Sequence, residues 1–91
     1  MELQKLIREI HWLEWQLRAF EDKYGVLSTD FYQAFQSGEL SEFDDTDLPQ
    51  FYDFLEWSSL YKVSLHREQR YRELLQRQSM VEQLRHIAVP A

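Results

Sequence analysis

Residues 2–24 read ELQKLIREIHWLEWQLRAFEDKY, and an apolar side chain recurs in this stretch after every three or four residues. The alternating spacing is that of a heptad repeat, in which the a and d positions form one apolar seam along a helix. Gly25 follows and can adopt the left-handed conformation that ends a helix. The stretch predicts a helix over about 2–24, and its seam consists of Leu3, Leu6, Ile10, Leu13, Leu17, Phe20 and Tyr24.

Helices are also predicted for the rest of the chain, because two glycines and two prolines in 91 residues leave little turn-forming material for an all-β fold. Ser28 is a suitable N-cap and Gly38 a suitable residue at which a helix ends. Between them the sequence predicts a short second helix over about 29–37. The strongly acidic stretch that follows, residues 39–47, shows no periodic spacing of apolar residues and is predicted to form a loop.

A third helix is predicted over about 48–88. Asp47 and Gln50 have the spacing of a capping box, and Pro49 fits the first helical turn. An unbroken helix of this length would be about 60 Å long, which is too long to lie wholly against a domain of this size. We therefore expect it either to kink, where the apolar pattern thins between 64 and 73, or to project.

These elements predict one all-α domain over 1–91, in which the long third helix returns antiparallel to the first. The first helix is apolar on two sides, because Trp12 and Trp15 lie opposite its seam. A second face of this kind must be covered by a bundle, by a second copy or by another protein, since it would otherwise be an exposed apolar patch. We expect a homodimer bundle whose oligomer seam is Leu3, Leu6, Ile10, Leu13, Leu17 and Phe20, with Trp12 and Trp15 as a second interface.

The middle of the chain is acidic and aromatic at once. From Tyr24 to Tyr61 there is no lysine or arginine, yet the segment holds eight of the sixteen carboxylates and ten of the fourteen aromatic side chains. Such a segment attracts a basic surface over a distance and has apolar anchors to hold it. The candidate partner-binding residues are the acidic Glu42, Asp44, Asp45, Asp47, Asp53 and Glu56 and the aromatic Phe43, Phe51, Tyr52 and Trp57. A solvated loop whose carboxylates cap the third helix is the alternative interpretation.

No set of residues suggests catalysis, a cofactor or a metal, and we expect a protein that is not an enzyme. Asp45, Asp47 and Glu56 match three positions of an EF-hand loop, but Pro49 and Gln50 occupy positions that require a ligand and a glycine. Cysteine is absent, which excludes disulfides and thiolate metal sites. A net charge of −6 opposes direct nucleic-acid binding. With no long apolar segment or signal peptide, we expect a soluble, cytoplasmic protein without a membrane association.

One pattern resembles a known group of proteins. It runs through Glu21-x-Lys23-Tyr24-Gly25-x-x-Ser28-x-x-Phe31-Tyr32-x-x-Phe35-x-x-Gly38-Glu39-Leu40 and continues, after several aspartates, with Leu55-Glu56-Trp57-x-x-Leu60-Tyr61. The pattern is similar to that of small helical bacterial and cyanobacterial antitoxin-like proteins, which are encoded beside small toxin genes. The resemblance implies a protein that binds and neutralises a basic toxin from the adjacent gene. A structural coiled-coil homodimer is the alternative function.

Overall fold

The computed structural model describes the backbone of residues 2–88 and the side chains of residues 2–85. Over this range the chain forms helices and no strand, which confirms the predicted all-α class. Because the apolar period is helical nearly throughout, tertiary packing can bury one stripe of each long helix. The helices are α1 (Glu2–Tyr24), α2 (Ser28–Ser37), α3 (Pro49–Arg77) and α4 (Met80–Ala88), with a single 3₁₀ turn at Ser41–Phe43.

Helices α1 and α3 form an antiparallel hairpin. At one end Lys23 contacts Asp53 across the two helices at 2.6 Å, and towards the other end Arg67 contacts Glu9 at 2.9 Å. The hairpin gives the molecule a rod shape, with extents of 57 × 21 × 19 Å. No helix within residues 2–88 is long and apolar enough to cross a membrane.

The seam of α1 is buried within this hairpin. Leu3, Leu6, Ile10, Leu13 and Leu17 are all buried in the single chain. The prediction that these residues form an oligomer seam is therefore wrong, because α3 of the same chain occupies that side of α1. Phe20, the sixth residue of the predicted oligomer seam, likewise stacks on Trp57 of α3.

The seam of α3 is less apolar than that of α1. It follows the same alternation of three and four residues through Phe54, Trp57, Tyr61, Ser64, Glu68, Tyr71 and Leu75, all of which are buried or half-buried. Its middle positions therefore carry a serine and a glutamate. The side chain of Ser64 is buried although it is polar. The buried seam side chains on the α1 side of this contact are four leucines and one isoleucine.

A core cluster of mainly aromatic side chains lies where α2 meets the hairpin. Trp57, at 1% exposure, is the most buried large side chain among those described, and it stacks on Phe31 of α2 with the ring centroids 3.8 Å apart. On α1, Phe20 and Tyr24 stack on the same indole at 5.6 and 5.7 Å. Three helices are thus joined by one side chain.

Ser28 connects the same three helices through hydrogen bonds. Its hydroxyl accepts from Trp57 Nε1 at 2.9 Å and donates to the Glu21 carboxylate at 2.6 Å, and its backbone N–H donates to that carboxylate too. The sequence predicted Ser28 as the N-cap of α2, but the N-cap is Leu27, whose side chain forms no cap hydrogen bond. Ser28 is instead buried, with its hydroxyl committed to the neighbouring helices.

The single third helix predicted over 48–88 is also wrong, because a separate helix follows α3, and the break does not lie between 64 and 73, where a kink was one of the two alternatives. Helix α3 runs without interruption through that range because its seam, including Ser64 and Tyr71, continues to face α1. The break comes later, at Gln78, whose backbone is extended. The hydroxyl of Ser79 then accepts from the Glu82 backbone N–H at 3.1 Å, which is the geometry of an N-cap.

Candidate protein-binding site

The acidic segment forms one end of the rod, where α2, the 3₁₀ turn and the start of α3 meet. We call this region the acidic end. Helix α2 finishes at Gly38, which has a φ of +82°, and the Glu39 N–H donates back to the Ala34 carbonyl at 3.1 Å. This left-handed cap turns the chain so that Leu40 and Phe43 pack back on the aromatic cluster. The exposed carboxylates of the acidic end are Glu39, Glu42, Asp44, Asp45 and Asp47.

An apolar pocket of about 200 Å³ lies at the acidic end, and one of these carboxylates, Asp44, lines it. Its lining comes from three separate segments, and it is formed by Phe35, Gly38, Leu40, Ser41, Phe43, Asp44, Phe51, Phe54 and Leu55. Small-molecule sites usually enclose roughly 300–1,000 Å³, so this volume suits one large apolar side chain better than a cofactor. Asp44 is the charged residue of the lining, which places a carboxylate beside the opening. The arrangement fits a protein ligand with an apolar side chain next to a basic one.

The four predicted aromatic anchors have different positions. Phe43 and Phe51 are half-buried and line the pocket, and Phe43 also makes an edge contact with Phe54 at 5.3 Å. Tyr52 is exposed but lies outside the pocket lining, in contact with Phe51. Trp57 is inaccessible, so its prediction as a partner anchor is wrong. Its indole was assigned to the surface because the sequence does not show that three aromatic rings from other helices surround it.

The six predicted acidic residues also lie in different parts of the structure. Glu42, Asp44, Asp45 and Asp47 lie exposed in or beside the 3₁₀ turn. Glu56 is exposed but follows Leu55 by one residue, and consecutive helical side chains point about 100° apart. Because Leu55 lines the pocket, Glu56 faces another side of α3. The structure therefore brings four of the six carboxylates to the acidic end and directs Glu56 elsewhere.

Asp53 has a structural partner within the chain. The Lys23 ammonium and the Tyr24 hydroxyl both donate hydrogen bonds to its carboxylate. These bonds hold the pKa of Asp53 below its ordinary value, and the bond from Lys23 has the larger effect. The same carboxylate raises the pKa of Lys23, chiefly through their hydrogen bond. Burial raises the pKa of Tyr24, and its hydrogen bond to Asp53 adds to that effect. Asp53 therefore clamps α1 to α3, which corrects its prediction as a freely available partner-binding residue.

The acidic end is not arranged as a metal site. Among the described residues, no group of three or more histidine, aspartate and glutamate side chains is placed to hold a metal ion. The segment Asp45-Asp47 instead forms a local turn, in which the Asp47 backbone N–H donates to the Asp45 carboxylate at 2.9 Å.

Six pocket residues were not predicted as part of a binding site, namely Phe35, Gly38, Leu40, Ser41, Phe54 and Leu55. Phe35, Gly38, Leu40 and Leu55 occur in the pattern that resembles antitoxin-like proteins, and Leu40 was otherwise assigned only to the loop over 39–47. One sequence signal points to Leu40, because an apolar residue shortly after a C-terminal glycine commonly packs against the last turn of the helix. The pocket itself depends on the packing of α2 against α3, which no local pattern specifies.

Comparison of the chain with protein-family models, curated proteins and solved structures gives no match. The support for a function therefore comes from the geometry of the chain's own residues.

Proposed function

We propose that this chain is a non-enzymatic protein-interaction module whose acidic end binds a basic protein partner. In this proposal the carboxylates around the pocket attract the partner, and the pocket then holds one of its apolar side chains. The partner is most simply a small basic toxin encoded by the adjacent gene, which the chain would neutralise in the manner of an antitoxin. That choice of partner follows from the resemblance to antitoxin-like proteins.

One observation carries the proposal: an apolar pocket of about 200 Å³ has the exposed Asp44 in its lining and lies in a segment that has no lysine or arginine from Gly25 to Leu60. A carboxylate cluster alone is satisfied by water, and an apolar pocket alone has no preference for charge. Together they select a ligand that is basic and carries an apolar anchor. Electrostatic attraction acts over roughly 8–10 Å at physiological salt, so the charges affect encounter and the pocket affects residence.

The test measures binding of the adjacent gene's product by surface plasmon resonance at two salt concentrations. Replacing Asp44, Asp45 and Asp47 together with lysine should slow association at low salt and weaken the salt dependence. The matched control replaces Glu2, Glu73 and Glu82 with lysine, three exposed residues, which makes the same change in net charge near the other end of the rod. Unchanged rates in the first triple variant, or equal effects in both, would contradict the proposal.

A second pair of variants tests the pocket. Leu55 lines it and is 45% exposed, whereas Leu65 is 41% exposed on the same helix but outside it. Leu55→Ala should speed dissociation by about tenfold, since a partner anchor would lose roughly 1–2 kcal/mol of contact, while Leu65→Ala should leave dissociation unchanged. Equal dissociation from the two variants would exclude the pocket as the anchor site.

The alternative function, a structural homodimer whose acidic end only keeps it in solution, is favoured by a different observation. Trp12 and Trp15 are 58% and 70% exposed on the side of α1 away from its seam. If the acidic triple variant and Leu55→Ala both bind the partner normally, this alternative is the better account.

A further inference from the structure

A broad groove runs along one face of the hairpin, far from the pocket of the acidic end. It has a volume of about 800 Å³, and we call it the Trp12 groove. Trp12, Leu13 and Val63 form its apolar floor and wall. Trp12 and Val63 remain 58% and 38% exposed, so an apolar surface faces outward between the two helices. Charged side chains surround it, namely Glu2, Lys5, Arg8, Glu9 and Arg67.

The apolar part of the groove lies near the middle of the rod. Val63 is the central residue of α3, which spans Pro49–Arg77, and Trp12 is one residue from the centre of α1, which spans Glu2–Tyr24. A surface centred in this way can meet an identical surface through a two-fold axis and bring the full lengths of both rods into contact. A hydrophobic centre with a charged rim is the usual composition of a specific interface.

The charges on this face are distributed unequally about its centre. Glu56 and Arg70 lie seven residues before and after Val63, which places all three on one side of α3. The same separation holds for the whole molecule. Residues 25–61 carry eight carboxylates and no basic side chain, whereas residues 62–85 carry six basic and three acidic side chains.

We propose that the Trp12 groove binds a second copy of this chain, with the two rods antiparallel. A two-fold axis that crosses α3 at Val63 sets Val63 against its counterpart and brings Glu56 of each copy to the level of Arg70 in the other. Antiparallel rods thus pair opposite charges on this face, whereas parallel rods would set Glu56 beside Glu56 and Arg70 beside Arg70. Arg70 already contacts Glu2 of its own chain at 3.1 Å in an exposed pair, so it is directed along this surface.

The size of the surface is sufficient for a stable dimer. Specific interfaces bury about 800 Å² per partner, and one face of a rod with extents of 57 and 21 Å supplies that area. The seam of α1 is not available for this contact because α3 covers it. The inference is independent of the proposed binding of a basic partner, since it uses the middle of the rod and not the pocket of the acidic end.

The first experiment is light scattering of the full chain over a range of micromolar concentrations. The wild type should give twice the chain mass of 11.2 kDa. Val63→Glu, which sets two carboxylates against each other on the axis, should reduce the mass to that of one chain at the same concentrations. Leu65→Glu is the matched control, because Leu65 has nearly the same exposure on another side of α3, and it should remain a dimer. A monomeric wild type, or a monomeric Leu65→Glu variant with normal helix content, would overturn the proposal.

Cross-linking tests the antiparallel arrangement directly, because the chain has no native cysteine. The reagent is a bismaleimide that spans about one helix diameter, on the order of 10 Å. It should join two copies of the Val63→Cys variant through their cysteines. A mixture of the Glu56→Cys and Arg70→Cys variants should give the mixed cross-linked dimer. Glu56→Cys alone should not link, since its counterpart would lie about 21 Å away along the helices, at 1.5 Å per residue. Efficient linking of Glu56→Cys to itself, or no linking of the mixed pair, would overturn the antiparallel arrangement.

Discussion

The indole of Trp57 should contribute more to stability than either of the other two tryptophans, and Trp57→Phe isolates that contribution. The indole stacks on rings from α1 and α2 and donates to the Ser28 hydroxyl at 2.9 Å. Phenylalanine keeps a ring in the site but lacks the donor and two ring carbons. The substitution therefore removes one hydrogen bond and a small part of the packing without removing the aromatic contact itself.

The magnitude follows from these two losses. Two buried carbons are worth about 0.8 kcal/mol each, and a buried neutral hydrogen bond contributes about 1 kcal/mol. Ser28 keeps its donation to Glu21, so the loss leaves no buried donor without a partner. We expect Trp57→Phe to lower the free energy of unfolding by about 2–3 kcal/mol. For a domain whose total stability is on the order of 5–15 kcal/mol, that is a large fraction.

Urea denaturation followed by circular dichroism at 222 nm measures the effect without depending on tryptophan fluorescence. The chain supplies its own control, because Trp15 is 70% exposed and Trp15→Phe should change stability by less than about 0.5 kcal/mol. Each variant is measured at two protein concentrations, since association makes unfolding concentration-dependent. Equal losses for the two substitutions would refute the assignment of Trp57 as the residue that joins the three helices.

A double-mutant cycle with Ser28 then separates the hydrogen bond from the packing. Ser28→Ala removes the acceptor and leaves the buried indole N–H of Trp57 without it, at a cost of about 1–3 kcal/mol. In that background Trp57→Phe should cost about 1 kcal/mol less than in the wild type, because the donor it removes is already unpaired. Strict additivity would show that the two side chains do not interact in solution.

Three further changes probe the clamp and the helix ends. The pKa of Asp53 is lowered in the fold, so its carboxylate stabilises the protein above its unfolded-state pKa of about 4. This contribution is lost as the pH falls through the folded-state pKa. Asp53→Asn should therefore be less stable than the wild type at pH 7, and thermal melts should show the difference in stability shrinking below about pH 4. Gly38→Ala should cost about 1–2 kcal/mol in chemical denaturation, because its φ of +82° is unfavourable for alanine even though no atom lies within 4 Å of the added Cβ. Ser79→Ala should remove the acceptor of the Glu82 N–H and speed amide hydrogen exchange in α4 with little change in α1.

The extent of α1 and the side that it buries could be predicted from the sequence, because the information is local. A strict repeat of leucine and isoleucine specifies one apolar stripe, and the stripe must be covered. What covers it is not local information. The sequence interpretation assigned the stripe to a second copy because α1 is apolar on two sides. The central seam positions of α3, Ser64 and Glu68, do not read as a matching apolar surface. Large side chains on one helix and small or polar ones on the other still make a hairpin.

The end of α3 shows a different limit. The apolar pattern thins after Leu65, which suggested a kink, but the seam of α3 continues across this range with fewer apolar atoms. The break at Gln78 had its own signal in Ser79-Met80-Val81-Glu82, the spacing of a capping box. A sparse hydrophobic pattern is compatible with a continuous helix when a partner helix supplies the packing. A capping side chain acts differently, because it accepts a hydrogen bond from a backbone N–H group that would otherwise bond to a carbonyl of the preceding turn.

The register of the α3 seam also determines that the two proposed surfaces are separate. With Phe54 and Trp57 facing α1 and α2, Leu55 is rotated towards the pocket of the acidic end and Glu56 towards the side of Val63. Neighbouring residues in the sequence therefore belong to different surfaces, and changes at them should have different effects. Asp44→Lys should alter binding of a basic partner and leave the oligomeric state unchanged, while Glu56→Lys should weaken self-association and leave that partner's dissociation rate unchanged. If both substitutions alter both properties, the two surfaces are one, and the hairpin is oriented differently from the register that its aromatic contacts define.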